Sequence, residues 1–78
     1  MARDLLQHGR MVALFAERVL RTPGMTPDDM PELSGNPAFG KLSTRERASV
    51  ARSIKHGAAS KLIETGYPEA TVKRILRV

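Results

Sequence analysis

The sequence predicts a small all-α domain. Apolar residues recur at three- and four-residue spacing on both sides of a stretch rich in proline and glycine, and helix start and stop signals flank the periodic segments. A chain of 78 residues forms one domain. We divide it into an N-terminal helix (1–21), a connector (22–40) and a C-terminal tri-helical helix-turn-helix (41–78).

The N-terminal helix is predicted to begin at Asp4 and to end near Arg21. Its apolar residues are spaced by three and four, like one seam of a heptad. The apolar surface is too broad to remain in water, so it packs on the C-terminal half, on a second copy, or on both. Because chains below roughly 80 residues bury little core, a homodimer is a reasonable default. The dimer-interface residues would be Leu5, Val12, Phe15 and Val19; ordinary core is the equally weighted alternative.

The connector contains four prolines and three glycines between residues 22 and 40. Thr26-Pro27-Asp28-Asp29 has the cap, proline and acidic residues of a helix start, but Pro31 removes a backbone donor, so one turn is expected. Apolar side chains are expected to attach this segment to the core, since a long structureless loop is unusual in a compact domain. They are Met25, Met30, Leu33 and Phe39.

The C-terminal half opens with a strong helix start signal. Ser43 and Glu46 have the capping-box spacing, which predicts a helix from residue 44. His56-Gly57 is interpreted as its end, and Gly66 as the end of a second helix, because glycine adopts the left-handed backbone cheaply. Pro68 suits the first turn of a third. The predicted helices span 44–56, 58–65 and 68–77.

The net charge of +5 is unevenly distributed: residues 1–40 sum to −1 and residues 41–78 to +6. A domain that binds a polyanion needs such a basic half, because neutralising phosphates supplies most sequence-independent affinity. A soluble surface that is basic by chance is the plain alternative. The charge therefore favours a nucleic-acid partner without identifying one.

The last predicted helix has one apolar side and one basic side. Its basic side could enter a DNA major groove, and Arg74 is the preferred base contact because a guanidinium can bond guanine at two atoms. The predicted base-contacting residues are Glu69, Ala70, Lys73, Arg74 and Arg77. The predicted phosphate-contacting residues are Arg45, Arg47, Lys55, Lys61 and Thr71.

Two stretches resemble known families. Leu42-Ser43-Thr44-Arg45-Glu46-Arg47, with His56-Gly57 and the run from Glu69 to Leu76, resembles the DNA-binding domain of LuxR-type regulators over about residues 42–76. The interval from Gly57 to Thr71 is about two residues shorter than in that family, and no fourth helix follows. The run from Ala59 to Thr71 is similar to the turn of phage terminase small subunits, which place it near their N-terminus. These resemblances imply a tri-helical DNA-binding unit and a phage or mobile-element origin.

We therefore predict a sequence-specific double-stranded DNA-binding protein, a small transcriptional regulator that acts as a cytoplasmic homodimer. The alternative is an interaction module or inhibitor that binds a host protein through the N-terminal apolar helix. RNA binding is a less favoured interpretation, since the sequence contains only three aromatic residues on which bases could stack.

An enzyme is not expected. No catalytic or phosphate-loop motif is present, and the two histidines share no motif, so we predict no catalytic residue, cofactor or metal site. The absence of cysteine excludes disulfides and fits a reducing compartment. The longest apolar run is too short to cross a bilayer, and no membrane segment or signal peptide is predicted.

Overall fold

The computed structural model describes residues 8–78. They form helices around one core, and no strand occurs within this range. Helix α1 spans His8–Arg21, and the connector contains a 3-10 turn (Pro27–Asp29) and two single-turn helices, α2 (Pro31–Ser34) and α3 (Pro37–Gly40). Helix α4 spans Thr44–Thr65 and helix α5 spans Glu69–Leu76. The all-α class is thereby confirmed, whereas the helix start predicted at Asp4 lies outside the described residues.

The core is assembled on α4, which contacts α1, the 3-10 turn and α5. Every part of the chain from α1 onward contributes apolar side chains to it, as the spacing predicted. The buried apolar residues are Met11, Phe15, Ala16, Val19, Met30, Leu33, Phe39, Ile54, Ala58, Leu62, Val72 and Leu76.

The connector is ordered by three proline-led turns rather than by the single turn predicted. Pro27, Pro31 and Pro37 each occupy the first position of a turn. A backbone N–H at that position has no partner within the turn, so proline, which lacks the N–H, loses no hydrogen bond there. The predicted attachments are confirmed: Met30 and Leu33 are fully buried, Phe39 is buried, and Met25 is half-buried against the same core.

A two-bond ion pair joins the connector to α1. The Arg18 guanidinium donates to both Glu32 carboxylate oxygens, and each side chain is 33% exposed. The hydrogen bonds from Arg18 lower the pKa of Glu32 to about 2. Glu32 thus ties the connector to α1, whereas the sequence analysis had assigned it no partner.

Helix α4 runs without interruption through Gly57, so the helix end predicted at His56-Gly57 is wrong. The C-terminal half contains two helices, α4 and α5, where three were predicted. A side chain at Gly57 would place its Cβ 2.8 Å from Val12 Cγ2, which is inside normal contact distance. Gly57 therefore permits the close approach of α1 to α4 and does not terminate a helix.

The other end signals of α4 act as predicted. Ser43 Oγ accepts from the Glu46 N–H, and Glu46 accepts from the Ser43 N–H at 2.8 Å. Gly66 ends the helix with φ +114°, a left-handed conformation that glycine adopts without the Cβ penalty. No helix among residues 8–78 is long and apolar enough to span a bilayer.

Candidate nucleic-acid interface

The surface of interest is the solvent-facing side of α5, which we call the α5 face (Glu69, Ala70, Lys73 and Arg74). All four residues are exposed, whereas Val72 and Leu76 of the same helix are buried in the core. This division follows from about 100° of rotation per helical residue, which places positions 69, 70, 73 and 74 within a single arc. The sequence prediction of a basic outer side is therefore realised for these four residues.

The local sequence explains how α5 is presented. After Gly66 turns the chain, the Tyr67 N–H bonds back to the Leu62 carbonyl at 3.1 Å, which closes the end of α4. Pro68 lies just before α5 with extended backbone, and its carbonyl accepts from the Val72 N–H at 3.0 Å. The helix therefore starts one residue later than predicted, and three residues separate it from α4.

Two cations on the α5 face differ in their partners. Lys73 Nζ lies 3.1 Å from Glu69 Oε2, but the side chains are 60% and 65% exposed. An exposed pair at this spacing contributes only a few tenths of a kcal/mol, so a phosphate can readily replace it. The Arg74 side chain makes no hydrogen bond or ion pair with any residue in the range 8–78. Its guanidinium is therefore available to an external acceptor.

Arg77 does not join the α5 face as predicted. Arg77 has φ +58° and ends α5, so its side chain does not continue the helical spacing of the residues before it. A Cβ on Gly24 would lie 2.9 Å from Arg77 Nε, and the Gly24 N–H donates to the Ile75 carbonyl at 2.8 Å. The Arg77 guanidinium thus lies against the connector, although the residue as a whole is exposed.

The four predicted phosphate contacts on α4 do not share one face. Arg45 and Lys61 are separated by about 160° of rotation and about 24 Å along the helix axis. Arg47 and Lys55 are half-buried, and the Arg47 guanidinium donates to Thr44 Oγ1 at 3.5 Å. Thr71 on α5 is also half-buried. A straight duplex lying on the α5 face could contact a part of this set only.

A group of residues that the sequence analysis did not assemble lies on α4. Arg52, Lys55 and His56 line one cleft, together with residues of the 3-10 turn and Val78. Their spacing of three and four residues would have placed them together on a helix. The spacing was already present in the predicted helix 44–56, but it does not show that the 3-10 turn and Val78 lie opposite these residues.

The proposed dimer seam lies mainly inside the chain. Phe15 and Val19 are fully buried, and Val12 is half-buried against Gly57. Leu5 lies outside the described residues. The burial of these residues favours ordinary core over a dimer interface. Phe15 and Val19 are not accessible in this fold to a second copy or to a host protein.

Among residues 8–78, no group of three or more histidine or acidic side chains could hold a metal ion. No family model, curated protein or solved structure matches the chain. The resemblances to LuxR-type regulators and to terminase small subunits therefore remain predictions. The site has to be interpreted from its own geometry and charge.

Proposed function

We propose that the protein binds double-stranded DNA through the α5 face and regulates transcription by doing so. The observation that supports this most is Arg74, an exposed guanidinium without a partner in the described range, placed beside Ala70 on the outer side of a two-turn helix. An α-helix fits the major groove, and arginine bonds the O6 and N7 atoms of guanine with two donors.

The other residues of the α5 face suit the same role. Ala70 is small and can contact a thymine methyl group, while Glu69 can accept from the N4 amino group of cytosine. Lys73 would exchange its exposed partner Glu69 for a phosphate, which also frees the Glu69 carboxylate. The +6 charge of residues 41–78 supplies long-range attraction to the backbone.

Binding to random and selected duplexes, followed by fluorescence anisotropy across a salt series, tests this proposal. We expect affinity to fall as salt rises, with a log–log slope of about −0.9 per neutralised phosphate. Arg74→Ala should weaken binding to a selected sequence by about 1–3 kcal/mol. Arg74→Lys retains the charge but removes the guanidinium fork, so it should lose sequence preference more than affinity for random duplex.

Lys41→Ala is the matched control. Lys41 is exposed and precedes α4, and its replacement by alanine removes one positive charge, as Arg74→Ala does. It should reduce affinity only through net charge. Equal losses for Arg74→Ala and Lys41→Ala on every duplex would refute a base-reading role for the α5 face. Sizing the free and bound protein tests the predicted homodimer separately.

A further inference from the structure

A cleft of about 520 Å³ lies between α4, the 3-10 turn and the residues that follow α5. This volume falls within the range of roughly 300–1,000 Å³ that is usual for small-molecule sites. Apolar groups from all three elements form part of its lining: Pro27, Ala48, Ala51 and Val78. The cleft is therefore large enough for an organic ligand and offers an apolar surface to its body.

Donor groups from α4 form another part of the lining. Arg52 and His56 are exposed and Lys55 is half-buried, at positions that place all three on one side of the helix. None of the three side chains makes an ion pair or hydrogen bond within residues 8–78. Basic side chains whose donors are unused in this range, beside an apolar surface, are suited to an anionic group.

Asp28 lines the same cleft from the connector side. Asp28 forms no ion pair with Arg52 or Lys55 in the described part of the chain, so no salt bridge closes the cleft. Among the acidic and strongly basic side chains of the lining, Arg52 and Lys55 are positive and Asp28 is negative. These side chains favour an anion, and Asp28 weakens its binding.

We infer that this cleft binds a phosphate ester whose phosphate contacts Arg52 and Lys55 and whose organic body lies on the apolar lining. A phosphate matches the guanidinium fork of Arg52 and the compact charge of Lys55 better than a single-atom anion does. The ester has two possible sources: a free nucleotide-sized molecule, or a backbone phosphate of DNA. The second source rests on the proposed function, whereas the first is independent of it.

Adenosine monophosphate is a suitable probe, titrated into ¹⁵N-labelled full-length protein and followed by amide chemical shifts. The expected shifts are saturable and concentrated at residues 26, 28, 48–56 and 78. Inorganic phosphate should bind the same residues more weakly, because it lacks a body to cover the apolar lining. Sodium chloride at matched ionic strength is the control for general screening.

Three variants separate a built site from general charge. Arg52→Ala should weaken nucleotide binding about tenfold or more, whereas Lys41→Ala, an equal charge change at an exposed residue outside the cleft, should leave it nearly unchanged. Asp28→Asn should tighten binding by about threefold, since it removes a like charge near the phosphate. If Asp28 had only a structural role, Asp28→Asn would not tighten nucleotide binding.

The inference is overturned if adenosine monophosphate produces no more change than sodium chloride, or if Lys41→Ala and Arg52→Ala weaken nucleotide binding equally. The source is identified by duplex DNA binding of the same variants. A larger loss of DNA binding for Arg52→Ala than for Lys41→Ala assigns the cleft to a DNA phosphate, and equal small losses assign it to a free ester. Because nucleotide binding is measured without DNA, failure of the DNA proposal leaves this result interpretable.

Discussion

Replacing Gly57 with alanine tests how α1 and α4 are held together. The new methyl carbon would lie 2.8 Å from Val12 Cγ2 and 3.2 Å from Cγ1, whereas carbon atoms normally approach to about 3.5–4.0 Å. Alanine gains up to about 1 kcal/mol over glycine in a helix interior, but overpacking costs about 1–3 kcal/mol. We expect a net loss of roughly 1 kcal/mol, which lowers the Tm by about 4–8 °C in a domain of this size.

Circular dichroism during thermal and urea unfolding measures this change, and Gly9→Ala supplies the control. Gly9 is also helical, but nothing lies within 4 Å of the position its Cβ would take, so alanine there should be neutral or stabilising by up to about 1 kcal/mol. Adding Val12→Ala to Gly57→Ala should recover part of the loss, with a coupling of about 0.5–3 kcal/mol. The packing role of Gly57 is refuted if Gly57→Ala stabilises the protein as much as Gly9→Ala does.

Two further changes test the connector and the turn before α5. Because the pKa of Glu32 is lowered to about 2 by Arg18, the ion pair stabilises the fold fully above about pH 4.5 and loses this contribution as the pH falls toward 2. In Glu32→Gln, the decrease in Tm between pH 5 and pH 2 should be smaller than in the wild type. Gly66→Ala should destabilise the protein by about 1–2 kcal/mol through its φ of +114° alone, since no atom obstructs a Cβ there. Urea unfolding should show a smaller loss for Gly66→Asn, and equal stability of the alanine variant and the wild type would contradict the assigned backbone conformation.

The features that the sequence predicted correctly depend on interactions within a few residues. The capping box of Ser43 and Glu46 spans three residues, and the left-handed end at Gly66 depends on backbone sterics at one position. The exposed side of α5 follows from helical periodicity together with the burial of Val72 and Leu76. Local chemistry was sufficient for each of these.

The errors concern residues whose roles are set by distant parts of the chain. Gly57 has the local appearance of a helix end, but its neighbour is Val12, and that contact exists only after α1 has packed on α4. Arg77 has the periodicity of the α5 face, but its left-handed backbone and its contact with Gly24 direct it to the connector. The cleft joins three segments that are far apart in sequence, so no local pattern could reveal it.

The connector determines how independent the C-terminal half can be. It bonds to the end of α5 through Gly24, pairs with α1 through Glu32, and buries Met30 and Leu33 completely. Of the twelve buried apolar residues that the structure describes between residues 8 and 78, only five lie after residue 40: Ile54, Ala58, Leu62, Val72 and Leu76. A fragment of residues 41–78 would expose these side chains without the surfaces that cover them, and a core this small cannot offset the conformational entropy of ordering the fragment. The α5 face therefore depends on the rest of the domain, which is why DNA binding has to be measured on the whole chain.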